Sequence, residues 1–175
     1  MKNTIALLLF VLLPLGAQDI KFPESFEKLA AKAKESVNVS LDGAMLQLAG
    51  NFLSSRNAGE AQAKQLSAEL KGIYVRTFEF EKEGEYTDAD VVPVRSQLTG
   101  ARGWSSMVNI SEPGERLEVY AKKEGDRVVG MTVMVSEKKE LTVVYVDGPI
   151  DLNQLGDLVR KNINVKVDVG KPDKK

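Results

Sequence analysis

The sequence predicts an α+β fold in which helices pack on one face of a mainly antiparallel sheet. Two observations lead to this prediction. Before residue 72, apolar residues recur every three or four positions, which is typical of amphipathic helices, whereas from Ile73 onward they alternate with polar residues, which is typical of strands. Short turns then join four strand candidates between residues 104 and 146, and connections of that length favour antiparallel neighbours.

Three helices are expected in the first part of the chain. The first covers residues 23–36, where apolar side chains form one stripe among Lys and Glu. Residues 37–41 alternate and predict either a short strand or a linker. The second helix covers residues 42–53, and the third follows a turn over residues 54–60.

A strand and a short helix come next. Residues 73–81 are rich in β-branched and aromatic side chains, which fit a pleated surface. Thr87 and Asp90 match a capping box, but Pro93 would then lie in the second helical turn, where its ring and missing N–H are costly. A start at Asp90 moves Pro93 into the first turn, so the helix is expected from Asp90 to Leu98.

The next part of the chain predicts a four-strand meander. Its strands are residues 104–110, 116–122, 127–135 and 141–146. The third strand is apolar on both faces and should lie centrally. The second strand alternates, which predicts that Glu118, Tyr120 and Lys122 lie on a solvent-exposed face.

The C-terminal region contains one more amphipathic pattern. Asp151 is expected to cap a last helix with a buried stripe of Leu152, Leu155, Leu158 and Val159. Residues 163–169 alternate and would add an edge strand. Residues 170–175 predict a disordered basic tail.

Residues 1–17 have the three-part order of a secretory signal peptide. Lys2 is followed by an apolar run over residues 5–13 and by small Ala17 before the expected cleavage point. The run is too short for a transmembrane helix, which needs about 20 residues. We therefore expect an exported protein without an integral membrane span, periplasmic or secreted, in which residues 18–169 form one domain.

The composition excludes several classes of chemistry. The chain has 175 residues, 24 Lys and Arg, 25 Asp and Glu, and neither His nor Cys. Catalytic triads with His, Cys nucleophiles, His/Cys zinc sites and disulfides are therefore absent, and lipid attachment at a Cys is excluded. The net charge of −1 gives no basic surface for nucleic acid. No cofactor or metal site is predicted.

Several blocks together resemble a family of exported bacterial proteins, domain of unknown function 4252 (DUF4252). These blocks are residues 41–46, 70–76, 78–80, 103–104, 140–144 and 148–152. The resemblance spans roughly residues 26–159 and consists mostly of core and turn positions. It implies a small domain of the bacterial cell envelope with no established activity and no catalytic residues to carry over.

Three residues are weak candidates for contact with a ligand or partner. Glu79 and Glu81 are two apart on a strand and therefore share a face, as paired carboxylates in hydrolases do. They head an acidic stretch that ends at Asp90; its spacing does not match a calcium loop, and solvated carboxylates are the simpler interpretation. Trp104 would either stack on a ligand or fill the core.

Other sequence patterns carry less information. Residues 25–28 and 136–139 fit S-x-x-K, the pattern of Ser-Lys nucleophiles, but lack the accompanying motifs. The four methionines Met45, Met107, Met131 and Met134 are expected in the core.

The sequence favours a non-enzymatic protein that binds another envelope protein through an exposed sheet face or an edge strand near Val37 or Val165. One alternative is a carboxylate-dependent hydrolase that uses Glu79 and Glu81. Another is a carrier of a small apolar ligand between helices and sheet.

Overall fold

The computed structural model describes residues 20–52, 58–99 and 103–151. The expected leader, the last helix after Asp151, the strand over residues 163–169 with Val165, and the tail lie outside the described residues. Among the helices that are described, none is long and apolar enough to cross a membrane.

In the described part of the chain, six antiparallel strands form one open sheet. They are β1 (Glu35–Asp42), β2 (Gly72–Glu79), β3 (Trp104–Glu112), β4 (Glu115–Glu124), β5 (Arg127–Glu137) and β6 (Glu140–Ile150). Their order across the sheet is β1-β2-β6-β5-β4-β3. The predicted meander is confirmed, β5 lies centrally as expected, and residues 37–41 belong to an edge strand and not to a linker.

Four helices accompany the sheet within these described residues. They are α1 (Glu24–Glu27), which continues as a 3₁₀ turn over Lys28–Ala31, then α2 (Gly43–Phe52), α3 (Ala58–Glu69) and α4 (Asp88–Leu98). The first helix is shorter than predicted because the chain has already joined the sheet at Lys34, whose N–H donates to the Glu79 carbonyl at 2.7 Å. The turn expected over residues 54–60 was wrong at its end, since the chain is helical from Ala58.

The start predicted for α4 was also wrong. The capping box is present: the Thr87 N–H donates to the Asp90 carboxylate at 2.8 Å, and Pro93 lies inside the helix. Residues Val91, Val94 and Leu98 are almost fully buried on one side of α4. Capping and burial together outweigh the cost of the missing proline N–H.

The core lies between one sheet face and the helices α1 and α4. Phe26 of α1 meets Phe78 of β2 edge to face at 5.3 Å, and Val94 and Leu98 of α4 belong to the same cluster. Tyr145, at the centre of that face, is fully buried. The α+β prediction, a mainly antiparallel sheet with helices packed on one face, is therefore confirmed.

The faces of β4 are the reverse of those predicted. Glu118 and Tyr120, expected in solvent, are 3% and 4% exposed on the core face. The reason lies in α4, whose Arg95 pairs with Glu118, so that a charged side chain is buried together with its counterion.

The methionine prediction was half wrong. Met131 and Met134 are buried, but Met45 and Met107 are 50% and 48% exposed. Met107 occupies a β-bulge in the edge strand β3, where the register shifts between Ser106 and Val108, and an edge strand offers a side chain fewer neighbours to pack against.

Candidate functional site

The candidate acidic pair is not gathered into a cleft. Glu79 ends β2 and accepts a hydrogen bond from the Lys34 ammonium group at 3.0 Å, which raises the pKa of Lys34. Glu81 lies just beyond the strand with an exposed side chain, and Lys139 donates to its main-chain carbonyl at 3.0 Å. The arrangement is that of carboxylates at a solvated sheet end.

Trp104 is a core residue. It is 6% exposed, its ring meets Tyr145 edge to face at 6.0 Å, and it lies over Gly130. A Cβ atom at Gly130 would lie 3.3 Å from the indole ring. The missing side chain at Gly130 therefore makes room for Trp104, and the indole has little free surface on which a ligand could stack.

Among the described residues, the core face carries two charge pairs in which at least one partner is buried. The single N–H of Arg95 Nε is shared between the two oxygens of the Glu118 carboxylate (3.0 Å each), and Nη2 donates to one of them (2.9 Å). Tyr120 donates its hydroxyl to the same carboxylate at 2.9 Å. Burial and the neighbouring Glu118 raise the pKa of Tyr120 to about 12. Burial alone would lower the pKa of Arg95, but hydrogen bonds to Glu118 and Asp88 raise it.

The second pair connects α1 to the sheet. Arg76 of β2 is 8% exposed and donates from Nε to Glu27 at 2.9 Å, and its guanidinium carbon lies 4.5 Å from the centre of the Phe22 ring. Its Nη1 also donates to the main-chain carbonyl of Val39 in the edge strand β1 at 3.1 Å. No buried side-chain nitrogen or oxygen atom of these two pairs lacks a hydrogen-bond partner, which fits a structural role.

The opposite sheet face is apolar. Directly paired residues share a face, so the strand register shows which positions belong to it. They are the odd-numbered positions of β1, β2, β4 and β5, the even-numbered positions of β6, and the even-numbered positions of β3 from Val108 onward. Over residues 37–41, 73–77, 108–110, 117–121, 131–135 and 142–146, these positions are Val, Ile, Leu, Met or Ala except for Thr77 and Thr142. Those two hydroxyl groups hydrogen-bond to each other at 3.0 Å. We call this surface the apolar face.

A row of glutamates borders the apolar face at one end. Each strand contributes one: Glu35, Glu79, Glu112, Glu115, Glu137 and Glu140. Glu79 pairs directly with Glu35 and Glu140, and Glu115 pairs directly with Glu112 and Glu137. Like charges directly opposite each other destabilise a sheet, so this glutamate row would be stabilised by a cationic partner.

The lysines among the described residues leave most of this row without an ion pair to any of them. Lys34 pairs with Glu79, whereas Lys138 pairs with Glu83 at 3.5 Å outside the row. Among the described residues, no three acidic side chains are placed to hold a metal ion. A linear row of carboxylates complements a polypeptide that carries several positive charges better than it complements a single ion.

The edge strand β3 is the most exposed element of the sheet. Every residue from Ser105 to Glu112 is exposed, and Val108 and Ile110 are 38% and 47% exposed. An edge strand leaves alternate N–H and C=O groups unpaired, and proteins usually guard such edges with Lys, Pro or a bulge. This strand has only the bulge at Met107 and the terminal Glu112.

Grooves formed by the described residues lie at the ends of the sheet. One, of about 360 Å³, lies beside the glutamate row between the loop at Tyr86 and the β3–β4 turn. Tyr86 donates its hydroxyl to the main-chain carbonyl of Glu140 at 2.9 Å and also contacts that of Glu137. Burial, followed by the nearby charges of Glu137 and Glu140, raises the pKa of Tyr86 to about 12. The loop is thereby fastened to the β5–β6 turn.

Sequence reasoning missed both the glutamate row and the exposed β3 edge. A glutamate flanks each side of the two hairpin turns at residues 112–115 and 137–140, which was a usable indication of the row. Its alignment with Glu35 and Glu79 depended on strand order, which the sequence did not supply.

Comparison with known proteins identifies the family. The family model described as domain of unknown function (DUF4252) matches residues 26–158. Neither the search of curated proteins nor the search of solved structures finds a match.

Proposed function

The chain belongs to the DUF4252 family, and we propose that it is a non-enzymatic binding module that accepts an extended segment of another protein at the β3 edge. One observation carries the proposal. Eight consecutive residues of an edge strand, Ser105 to Glu112, are exposed, with three large apolar side chains among them. An added strand would satisfy the outward N–H and C=O groups of β3 and bury these side chains.

The proposal includes export. A leader at residues 1–17 would deliver the protein to the periplasm or the outside, without lipid attachment, so the partner would be another envelope protein. The two alternative functions have less support. Glu79 and Glu81 do not converge in a cleft, and Phe26, Val94 and Leu98 fill the helix–sheet layer where a carrier would need its cavity.

The test combines native cross-linking with matched charge variants. Ile110→Lys places a cation on β3, whereas Val37→Lys places one on the same face at the opposite edge, where exposure is similar (42% against 47%). We expect a partner recovered with the unaltered chain to be lost with Ile110→Lys, by about tenfold or more in affinity, and kept with Val37→Lys.

Each other outcome contradicts a stated part of the proposal. Loss with both variants would assign binding to the apolar face as a whole, and loss with Val37→Lys alone would assign it to β1. Repeated recovery of no partner by the unaltered chain would count against a binding module of any kind.

A further inference from the structure

The apolar face is expected to be covered, either by another part of this chain or by another molecule. The core cluster under α1 and α4 contains none of its side chains, so no described helix of that cluster covers it. The apolar positions cover about five residues on most of the six strands, which lie about 4.8 Å apart, so the apolar patch measures roughly 400 Å². A patch of that size is comparable to the largest apolar patch on a typical monomeric protein, which is often an interaction site.

Burial across the apolar face is uneven. Ala121 and Met131 are paired on neighbouring strands and are 0% and 8% exposed, although neither belongs to the core cluster. They lie at the sheet end where β6 stops at Ile150. The edges are open by comparison, with Val37 at 42% and Ile110 at 47% exposed. The occupant is therefore expected over the central strands and to enter from that end.

The chain itself leaves the sheet at that position. Residues 152–175 follow β6, which is one of the two central strands. These 24 residues would span about 36 Å even if wholly helical. Along β6, Glu140 in the glutamate row lies about 34 Å from Ile150, so the segment is long enough to reach the row.

The sequence of this segment matches the face in polarity and charge. Its first part carries the apolar stripe of Leu152, Leu155, Leu158 and Val159. Its second part is basic, since residues 160–175 contain six Lys and Arg against two Asp. The apolar part comes first along the chain, next to the buried end of the face, and the basic part is then placed to reach the row of carboxylates.

We propose that residues 152–175 of this chain dock on the apolar face, with the apolar stripe over β5 and the adjoining sides of β4 and β6, and with the basic residues against the glutamate row. A helix is about 10 Å wide and covers about two strands, which leaves the β1 and β3 edges exposed as observed. The apolar face would then be closed within one molecule. The β3 edge would remain free for a partner, so this inference is independent of the proposed function.

The natural absence of Cys makes a direct test practical in the full chain. Leu158→Cys is combined either with Val146→Cys, on the apolar face, or with Asp147→Cys, on the core face. Both strand positions are half-buried neighbours on β6, so they differ mainly in the face they occupy. Val146 lies about 13 Å along β6 from Ile150, which is about as far as a helix would carry Leu158. With a short bismaleimide cross-linker, we expect a link within one molecule for the 146/158 pair and little for the 147/158 pair.

Every other result overturns the proposal. Links between molecules for the 146/158 pair would show that a second copy occupies the face. Equal links for both pairs would show no preference of the segment for either face, and the absence of links would show that it lies elsewhere.

A second measurement covers the case in which a double variant fails to fold. The single variant Val135→Cys is alkylated with iodoacetamide, with and without Lys166→Glu and Lys171→Glu. If the basic residues hold the segment against the glutamate row, the charge reversals should raise the alkylation rate several-fold, with a smaller effect at high salt. An unchanged rate would refute that contact.

Discussion

Replacing Arg95 by Leu tests whether α4 is held to the sheet by a buried charge pair. The Arg95 and Glu118 side chains are only 15% and 4% exposed, so the substitution leaves a carboxylate in the core without its counterion. Only the Tyr120 hydroxyl, at 2.9 Å, would still donate to Glu118.

The expected loss of unfolding free energy is about 3 kcal/mol. Breaking a buried pair by removing one partner costs about 3–5 kcal/mol, and the remaining Tyr120 hydrogen bond places Arg95→Leu at the lower end. The contact of Arg95 with Asp88 adds little, since the Asp88 side chain is 65% exposed. A change of this size corresponds to a fall in Tm of roughly 6–12 °C for a domain of this length.

Urea unfolding followed by circular dichroism measures the effect, with two controls. Arg116→Leu removes a guanidinium that is 41% exposed and also contacts Asp88, so it should cost less than about 0.5 kcal/mol. The triple variant Arg95→Leu/Glu118→Met/Tyr120→Phe removes both charges and the hydroxyl that would lose its acceptor, and it should return to within about 1 kcal/mol of the unaltered chain. The reasoning is refuted if Arg95→Leu costs no more than Arg116→Leu, or if the triple variant is as unstable as the single one.

Three further predictions concern backbone and titration. Gly148→Ala should cost roughly 2–3 kcal/mol in urea unfolding, because Gly148 has φ +129° and a Cβ there would lie 2.9 Å from main-chain atoms. Gly125→Ala should cost only about 1 kcal/mol, because Gly125 has φ +61° and open space around it, and equal costs for the two variants would contradict this. Thr87→Ala should cost about 0.5–1 kcal/mol in the same assay by removing half of the capping box, and no loss would show that Asp90 alone caps α4. The folded protein raises the pKa values of Tyr86 and Tyr120 to about 12, above the ordinary value of about 10. The stability that these two groups contribute is therefore complete below pH 10 and falls as the pH rises from about 10 to 12. If the tyrosinate absorbance of the folded protein rose fully near pH 10, this prediction would be wrong.

The sequence was sufficient for the fold class because local patterns carry it. The change of period at Ile73 and the short turns between residues 104 and 146 depend only on neighbouring residues, and the structure confirms the meander that they predict. The start of α4 was mispredicted although its capping box was visible. The cost of Pro93 was weighed without the burial of Val91 and Val94, which depends on the sheet beneath α4.

The faces of β4 show where local patterns stop being informative. Alternation of Leu117 and Val119 with Glu118 and Tyr120 establishes that the two faces differ, but it does not establish which face the helices cover. A prediction from hydrophobicity alone places Leu117 on the face that the helices cover. That prediction is wrong here because the sheet has a second apolar face, which the helices α1 and α4 do not cover. The helix-covered face can hold Glu118 only because Arg95 accompanies it.

The same reasoning explains why the binding surfaces were harder to predict than the fold. The glutamate row and the apolar face arise from strand order and register, which align residues as distant in the sequence as Glu35 and Glu140. A face that is apolar along its whole length resembles a second core, and the sheet provides it with no described helical layer of the kind that α1 and α4 form opposite. The unusual feature of this domain is therefore a sheet with two apolar faces. Docking of residues 152–175 on the second face, as proposed above, would leave the β3 edge as the surface available to a partner.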